Sequence, residues 1–359
     1  MKILIETDPH FKEIGPMSNE SRFNPKYSTR LDLLIKSFDW LYQVARYFNV
    51  DAIVHGGDML DKPVILAKEA HALEESFAYN TTGIKEYVLV GNHDRKDRNT
   101  HALAVLANYP TVTIVDKPLK LAGGLSLLPY VSELPTEEIQ ALSNNVLVSH
   151  IDILGAPYNA NFVSNSGFDA KLLSMYFKTI LNGHIHMPSV VESVRNIGSF
   201  TGSGLGDNYK NHAPSAYLVD TETLEITVYN NPFAIQYVTI VSNDLDEVRR
   251  ELTRLGTSNM HYYVRVQTLN EIKLDIRRIV DGQLAQYPNL LSAIVIGTTR
   301  RSRSTVPDTY GREQESVQIK TAAAEILAGF LTTVVDAKLP ASRNEVMAMI
   351  MSDYIVGVN

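Results

Sequence analysis

Five short apolar runs in this chain each stop at a knot of Asp, Asn and His residues, and few architectures can accommodate that rhythm. The knots are Asp8-Pro9-His10, Gly57-Asp58-Met59-Leu60-Asp61, Gly91-Asn92-His93-Asp94, Ser149-His150 and Gly183-His184-Ile185-His186. The runs before them, at residues 2–6, 52–55, 87–90, 146–149 and 179–181, have strand character, as do residues 112–115 and 125–129. Amphipathic stretches predict helices between them at residues 28–48, 62–79, 102–107 and 170–176. Asp61 is placed to cap the second helix, with Pro63 in its first turn. Strands alternating with helices over the first two-thirds of the chain give an α/β layered domain. In such sheets the carboxyl ends of the strands face the crevice where ligands bind, so segments far apart in sequence can meet there.

The groups so gathered are two Asp, one Asn and five His. Seven of the eight can ligate a metal through oxygen or imidazole nitrogen, which suits two ions and exceeds the needs of one. A carboxylate can bridge a pair of metals, and two ions about 4 Å apart can clamp the attacking and leaving oxygens of a phosphoryl transfer. The remaining His is free to handle a proton. Asp-x-His and Gly-Asp-x-x-Asp are weak signals singly. Gly-His-x-His is stronger, because one intervening residue puts both rings on one face of an extended segment. The weight lies in finding all five in order, each after a strand. The absence of cysteine removes thiolate metal sites, disulfides and thiol nucleophiles, and leaves ligand types that favour harder divalent ions.

After Pro232 the texture changes. Residues 237–241, 262–268 and 291–296 read as strands, with helical periodicity at Leu245, Val248, Leu252 and Leu255 and again at Ile272, Ile276, Ile279 and Val280. The expected organisation is a catalytic domain over 1–232, a small βαβαβ domain over 233–297, a linker over 298–314 and C-terminal helices over 315–359. The last helix opens with Ser342-Arg343-Asn344-Glu345, a capping-box pattern. The net charge of −7 runs against a simple nucleic-acid binder, although bound cations would change its local sign. The opening residues hold no apolar core of signal-peptide length, and the apolar stretch at 322–335 contains Glu325 and is short of a membrane span; the expected location is the cytoplasm.

The series of knots resembles the calcineurin-like metallophosphoesterase family over roughly residues 1–230. That resemblance implies a β-sandwich flanked by helices. It also implies that Asp8, His10, Asp58 and His186 hold one metal while Asp58, Asn92, His150 and His184 hold the second. His93 would then act on the leaving group, oriented by Asp61. The long extension beyond the core, with its βαβαβ unit and helices, is similar to SbcD-type nuclease subunits of bacteria and phages. By that resemblance the βαβαβ unit caps the site and places DNA. The C-terminal helices dock on the coiled-coil base of an SbcC-type ATPase, and the nuclease works as a homodimer. The implied activity is a 3′-to-5′ double-strand exonuclease with single-strand endonuclease action. Manganese is the expected ion, with magnesium, iron and zinc compatible with the same ligand types. The alternatives are a phosphodiesterase or phosphatase acting on a non-DNA substrate, and a DNA-end tethering subunit with incidental nuclease activity.

Two stretches extend the likeness: Ile197-Gly198-Ser199 and Ala216–Asp220 resemble closing strands of that subfamily. Pro9 departs from it, standing where many relatives carry Trp, and the insertion at residues 11–27 is individual. Arg95, Lys96 and Arg98 follow His93 closely enough to meet a DNA backbone. His55 reads as a packed or hydrogen-bonded histidine, His71 and His101 as helix residues, His212 as a loop residue, and His261 as one with no evident chemistry. The Arg300-Arg301-Ser302-Arg303 run reads as linker.

Overall fold

The computed structural model describes residues 1–13, 21, 24–81, 83–97, 100–159, 162–202, 204 and 213–298. The expected linker from residue 299 onward, the C-terminal helices, Arg98 and His212 lie outside them. The chain begins β1 (Lys2–Glu6), α1 (Thr29–Tyr47), β2 (Ala52–His55), α2 (Ala67–Phe77), β3 (Lys85–Leu89) and β4 (Val112–Val115). It continues through β5 (Leu119–Lys120), β6 (Leu125–Leu128), α3 (Thr136–Ala141), β7 (Asn144–Ser149), β8 (Pro157–Asn159), β9 (Phe162–Val163), α4 (Ala170–Ser174) and β10 (Phe177–Asn182). Then come β11 (Ser189–Val191), β12 (Val194–Asn196), β13 (Ser215–Asp220) and β14 (Ile226–Asn230). The last described elements are β15 (Ile235–Val241), α5 (Leu245–Gly256), β16 (His261–Leu269), α6 (Lys273–Gln286) and β17 (Leu290–Thr298).

Two six-stranded sheets, ordered β14-β13-β1-β2-β3-β4 and β11-β12-β10-β7-β6-β5, form the first part. Ile3, Ile5 and Val54 from one sheet and Leu125, Val146 and Leu181 from the other fill a single apolar layer between them. The outer face of the first sheet is covered by α1 and α2, and that of the second by α3 and α4. This is the expected sandwich flanked by helices. Within each sheet the inner strands are parallel, so their carboxyl ends lie at one edge. The register is level there: Glu6 pairs with His55, His55 with Val88, and Ser149 with both Asn182 and Leu128.

Two expectations are corrected. The second helix starts at Ala67 and not near Lys62, because Asp61 spends its carboxylate on Lys12 at 2.6 Å and leaves the capping to others. The Leu66 N–H donates to Glu69 instead, at 2.9 Å. Ala216–Asp220 does lie in β13, but residues 197–199 form no strand. They brace the end of β1, with the Phe200 N–H donating to the Thr7 carbonyl at 2.8 Å and the Ser199 hydroxyl to that of Asp8 at 2.8 Å.

A third sheet, β15-β16-β17, is wholly parallel, with α5 and α6 as its crossovers and an apolar cluster of its own. Its Ile235, Tyr237 and Tyr263 pack against Leu33 and Trp40 of α1. Helix α1 is thus covered on two sides, which is why its described burial includes Arg30, Asp32, Lys36 and Asp39 as well as its apolar stripe. Ser28 caps it, accepting from the Leu31 N–H. No helix among the described residues is long and apolar enough to cross a membrane.

Under α1 sits a buried polar cluster. His55 faces Glu6 at 2.7 Å through Nδ1 and Glu86 at 3.0 Å through Nε2, its ring stacked on Phe38, and Tyr42 donates to Glu86 at 2.6 Å. His55 is therefore the hydrogen-bonded histidine its sequence context suggested. Burial pulls its pKa down, but the hydrogen bonds to Glu6 and Glu86 and their charges overcome this and raise it from 6.5 to about 9. The folded state thus holds a proton that the unfolded chain gives up. The stabilisation is complete below pH 6.5 and is lost as the pH rises through about 9. Urea titrations should show the unfolding midpoint falling across that window. His55→Gln should be about 3–5 kcal/mol less stable at neutral pH and should show a shallower decline.

Candidate metal centre

The knots are placed by the sheets. Asp8 and His10 leave the end of β1, Asp58 and Asp61 follow β2, Asn92 and His93 follow β3, His150 follows β7, and His184 and His186 follow β10. The first two loops are zipped together: the Asp8 N–H donates to the Gly57 carbonyl at 3.0 Å and the His10 N–H to that of Asp58 at 3.1 Å. Asp8, His10, Asp58 and His184 all have positive φ, of 54°, 47°, 50° and 69°. The left-handed region costs an L-residue about 1–2 kcal/mol, so strain is concentrated at the positions that turn donors inward. Two glycines make the approach possible. A Cβ on Gly57, at φ 105°, would lie 2.3 Å from His150 Nδ1, and one on Gly91 would lie 2.1 Å from Asp58 Oδ1.

Among the described residues, three overlapping groups of side chains could each hold a cation: Asp8, His10 and His186; His10, Asp58 and His93; and Asp58, His150 and His184. Within each, one donor atom per residue lies within 4.8 Å of the others. His10 Nε2 and His186 Nε2 are 2.9 Å apart, and His186 Nε2 is 3.5 Å from Asp8 Oδ1. Asp58 Oδ2 is 3.3 Å from His150 Nε2, 3.9 Å from His10 Nε2 and 4.0 Å from His93 Nε2. Asn92 Oδ1 joins the last group, 3.2 Å from His150 Nε2 and 2.9 Å from His184 Nδ1. All eight sequence-selected donors therefore meet, and Asp58 belongs to two of the three groups.

Charge explains why a cation suits this place. Asp8 and Asp58 are almost wholly buried, at 0% and 1% exposure, and their ion-pair partners are histidines. Left unpaired, buried carboxylates would each cost on the order of several kcal/mol. Burial pushes Asp8 up, but the His186 hydrogen bond and the charges of His150 and His186 leave it below its ordinary value. Burial likewise opposes ionisation of Asp58, and His150 reverses the effect. Burial lowers His150 as well, yet the charge and hydrogen bond of Asp58 raise it from 6.5 to about 9, so it carries a proton where a cation is wanted. Burial, then the charge of His186, holds His10 well below the usual range, as the neutral imidazole that can ligate. Carboxylates, imidazoles and an amide oxygen converging on one volume fit divalent ions.

His93 is exposed. Its N–H donates to Asp58 Oδ1 at 2.8 Å, and its Nδ1 lies 2.9 Å from the Asp61 main-chain carbonyl. Asp61 meets His93 through that carbonyl, its carboxylate being bound to Lys12. Arg95 donates to the Asp116 carbonyl at 3.1 Å, and Lys96 is exposed beside it. Several supporting residues here are not among the eight donors. Asp94 accepts from the Leu60 and Gly91 N–H groups, both at 2.8 Å; burial, then the charge of Asp58, raises it to about 7. Asn182 receives the Ser149 hydroxyl and the Ile151 N–H and donates to Ile151, Gly183 and Asn196, locking the loops of His150 and His184 together. Asp152 and Tyr158 contact His184. A polar residue at the end of an apolar strand, as Asn182 is, was the one available sequence signal for this second group.

A family model described as calcineurin-like phosphoesterase matches residues 1–188. No curated protein matches the sequence. Among solved structures, TT1561 of Thermus thermophilus is 12% identical with a TM-score of 0.39, over 64% of this chain and 98% of that one. Nuclease MPE of Pseudomonas putida is 16% identical with a TM-score of 0.29, over 60% and 84%.

Two outcomes test the centre. Gly57→Ala should abolish metal binding in calorimetry, because the methyl group displaces His150. Metal binding to the unaltered chain should strengthen between pH 6 and about 9 and release a proton from His150, detectable as a dependence of the heat on buffer ionisation enthalpy.

Proposed function

The chain belongs to the calcineurin-like phosphoesterase family, and on that premise we propose that it is an SbcD-type nuclease subunit hydrolysing phosphodiester bonds in DNA. Family membership carries metal-dependent phosphoester hydrolysis; DNA as the substrate is our own reading. The observation that supports it is a junction. Buried Arg30 of α1 donates to the carbonyls of His10 at 3.3 Å and Pro9 at 3.5 Å, and also to the Gly202 carbonyl at 3.2 Å and the Tyr237 hydroxyl at 3.4 Å. The third sheet is thereby tied to the loop that carries two candidate ligands. A second folded unit tied to a ligand loop suits a long polymeric substrate better than a small ester.

Two divalent ions, manganese first among them, would supply positive charge to the phosphoryl oxygens and a more reactive water. Asp8, His10, Asp58 and His186 would hold one, and Asp58, Asn92, His150 and His184 the other. His93 donates its Nδ1 proton to the Asp61 carbonyl, and its Nε2 lies 4.0 Å from Asp58 Oδ2; as the imidazolium it would pass the Nε2 proton to the departing oxygen and become the neutral Nδ1–H ring. Asp61 orients it. Lys96, with Arg95 and Arg98, would meet the phosphate backbone, although the Arg95 guanidinium also serves the Asp116 carbonyl. Residues 315–359 would dock on an SbcC-type coiled-coil ATPase, and the working complex would be a dimer of nuclease subunits in the cytoplasm. Such a partner would offset the acidic balance of −7 with its own phosphate contacts. That same acidity favours the second reading, a phosphodiesterase for small substrates.

The deciding assay is cleavage of end-labelled duplex DNA in manganese. His93→Ala should lower the rate by roughly 100- to 10,000-fold while leaving metal stoichiometry unchanged. Hydrolysis of a small chromogenic phosphodiester with no DNA cleavage, even after an ATPase partner is added, would shift the assignment to the second reading.

A further inference from the structure

His184 has two edges with different neighbours. Its Nδ1 faces Asn92 Oδ1 at 2.9 Å and belongs with Asp58 and His150. Its Nε2 lies 3.1 Å from Asp152 Oδ1 and 2.9 Å from the Tyr158 hydroxyl. His150, the other imidazole of this group, turns its Nδ1 to a neutral carbonyl, that of Gly56, at 2.8 Å. Only His184 is backed by a carboxylate within this pair.

The proton count settles the tautomer. An ionised carboxylate only accepts, so Asp152 needs donors. Tyr158 gives its one hydroxyl proton to Asp152 in a short contact, which leaves its oxygen lone pairs to accept. Both neighbours of Nε2 are then acceptors and one of them is charged, whereas Nδ1 faces only the neutral amide oxygen of Asn92; the stronger, charge-assisted bond places the His184 proton on Nε2 and leaves the Nδ1 lone pair toward the metal group. The supports are fixed in place. Ile151, next to Asp152, is held at both its N–H and its carbonyl by Asn182. Tyr158 stands on β8, whose hairpin is closed by the Ser164 N–H on the Ala156 carbonyl at 2.8 Å and the Gly155 N–H on that of Ser164 at 2.9 Å. The Tyr158 and His184 rings meet edge to face at 5.8 Å.

We propose that Asp152, buttressed by Tyr158 of the β8–β9 hairpin, is a positioning residue for the second metal: it holds His184 as the Nε2–H tautomer and directs Nδ1 at the ion. This rests on the two-ion reading above. A carboxylate behind an imidazole makes it a stronger ligand and fixes its plane, and loss of such a partner lowers metal affinity by about 10- to 100-fold. The hairpin thereby gains a hold on the second ion that it does not have on the first.

The test is a manganese titration of the metal-free full-length chain by calorimetry, with nitrogen NMR of the His184 ring in the same metal-free samples. The unaltered chain should bind two equivalents, and its His184 should show the proton on Nε2. Asp152→Ala should weaken the second equivalent by about 10- to 100-fold, leave the first unchanged, and mix the two tautomers. Its metal-free melting temperature should stay at the value of the unaltered chain. Asp152→Glu should recover part of the affinity, and Tyr158→Phe should lose less than Asp152→Ala. Two undiminished equivalents in Asp152→Ala would overturn the proposal, as would loss of both equivalents together with a lowered melting temperature. Fewer than two equivalents in the unaltered chain would sink the two-ion reading itself, a result distinct from either.

Discussion

Two carboxylates, Asp8 and Asp58, are buried side by side at the ends of neighbouring parallel strands, and the surrounding structure answers to the charge they bring. Parallel pairing of β1 with β2 sets Glu6 level with His55, so the loops that follow must rise together. Main-chain hydrogen bonds from Asp8 to Gly57 and from His10 to Asp58 then leave little choice in where the two side chains go. Carboxylates so withdrawn from water are tolerable only beside positive charge. Five imidazoles crowd round them, one of them drawing a proton up to a pKa of about 9, and the donors point where divalent ions would relieve the whole cluster.

Holding that cluster together takes rigidity at some distance. Left-handed backbone at Asp8, His10, Asp58 and His184 is unfavourable by itself and persists because both sheets, Asn182 and the brace at residues 197–200 over-determine it. Behind the first sheet, the His55 cluster ties β1 to β2 and β3 with hydrogen bonds in place of apolar packing. Helix α1 is the shared wall. One side closes the core of the first sheet, the other receives Tyr237 and Tyr263 of the third sheet, and Arg30 at its start reaches the main chain of the His10 loop. A shift of the third sheet would therefore be felt at the ligand loop through Arg30, and through Thr201, which joins Ile235 to the Pro9 carbonyl.

Much of this was legible in the amino-acid order. Residues 2–6, 52–55 and 112–115 have the strand bounds that periodicity indicates, because a buried parallel strand needs an unbroken apolar run and ends where that run ends. The start of α2 was misread for an instructive reason. Asp61 has the chemistry of a helix cap, but Lys12, itself reached through the loop after β1, competes for the same carboxylate. The brace at 197–199 looked like a strand because its residues suit one; in the fold its donors are spent on β1. Asp152 and Tyr158 carry no sign of their role in the sequence, and Asn182 only that of a polar residue ending an apolar strand. Each is an ordinary polar residue whose partner lies 26 to 33 positions away.

By itself, then, the sequence determined the layered α/β class, the strand ends and the eight candidate donors, since these depend on local periodicity and on side-chain chemistry. The tertiary structure alone decided which candidate donors share a volume, that Asp58 belongs to two of the three groups, and that Asp61 meets His93 with its carbonyl. It also decided which edge of His184 carries the proton. Those properties depend on register between strands and on distances of a few ångströms across the sheet edge. Neither is encoded in the spacing of residues along one chain segment.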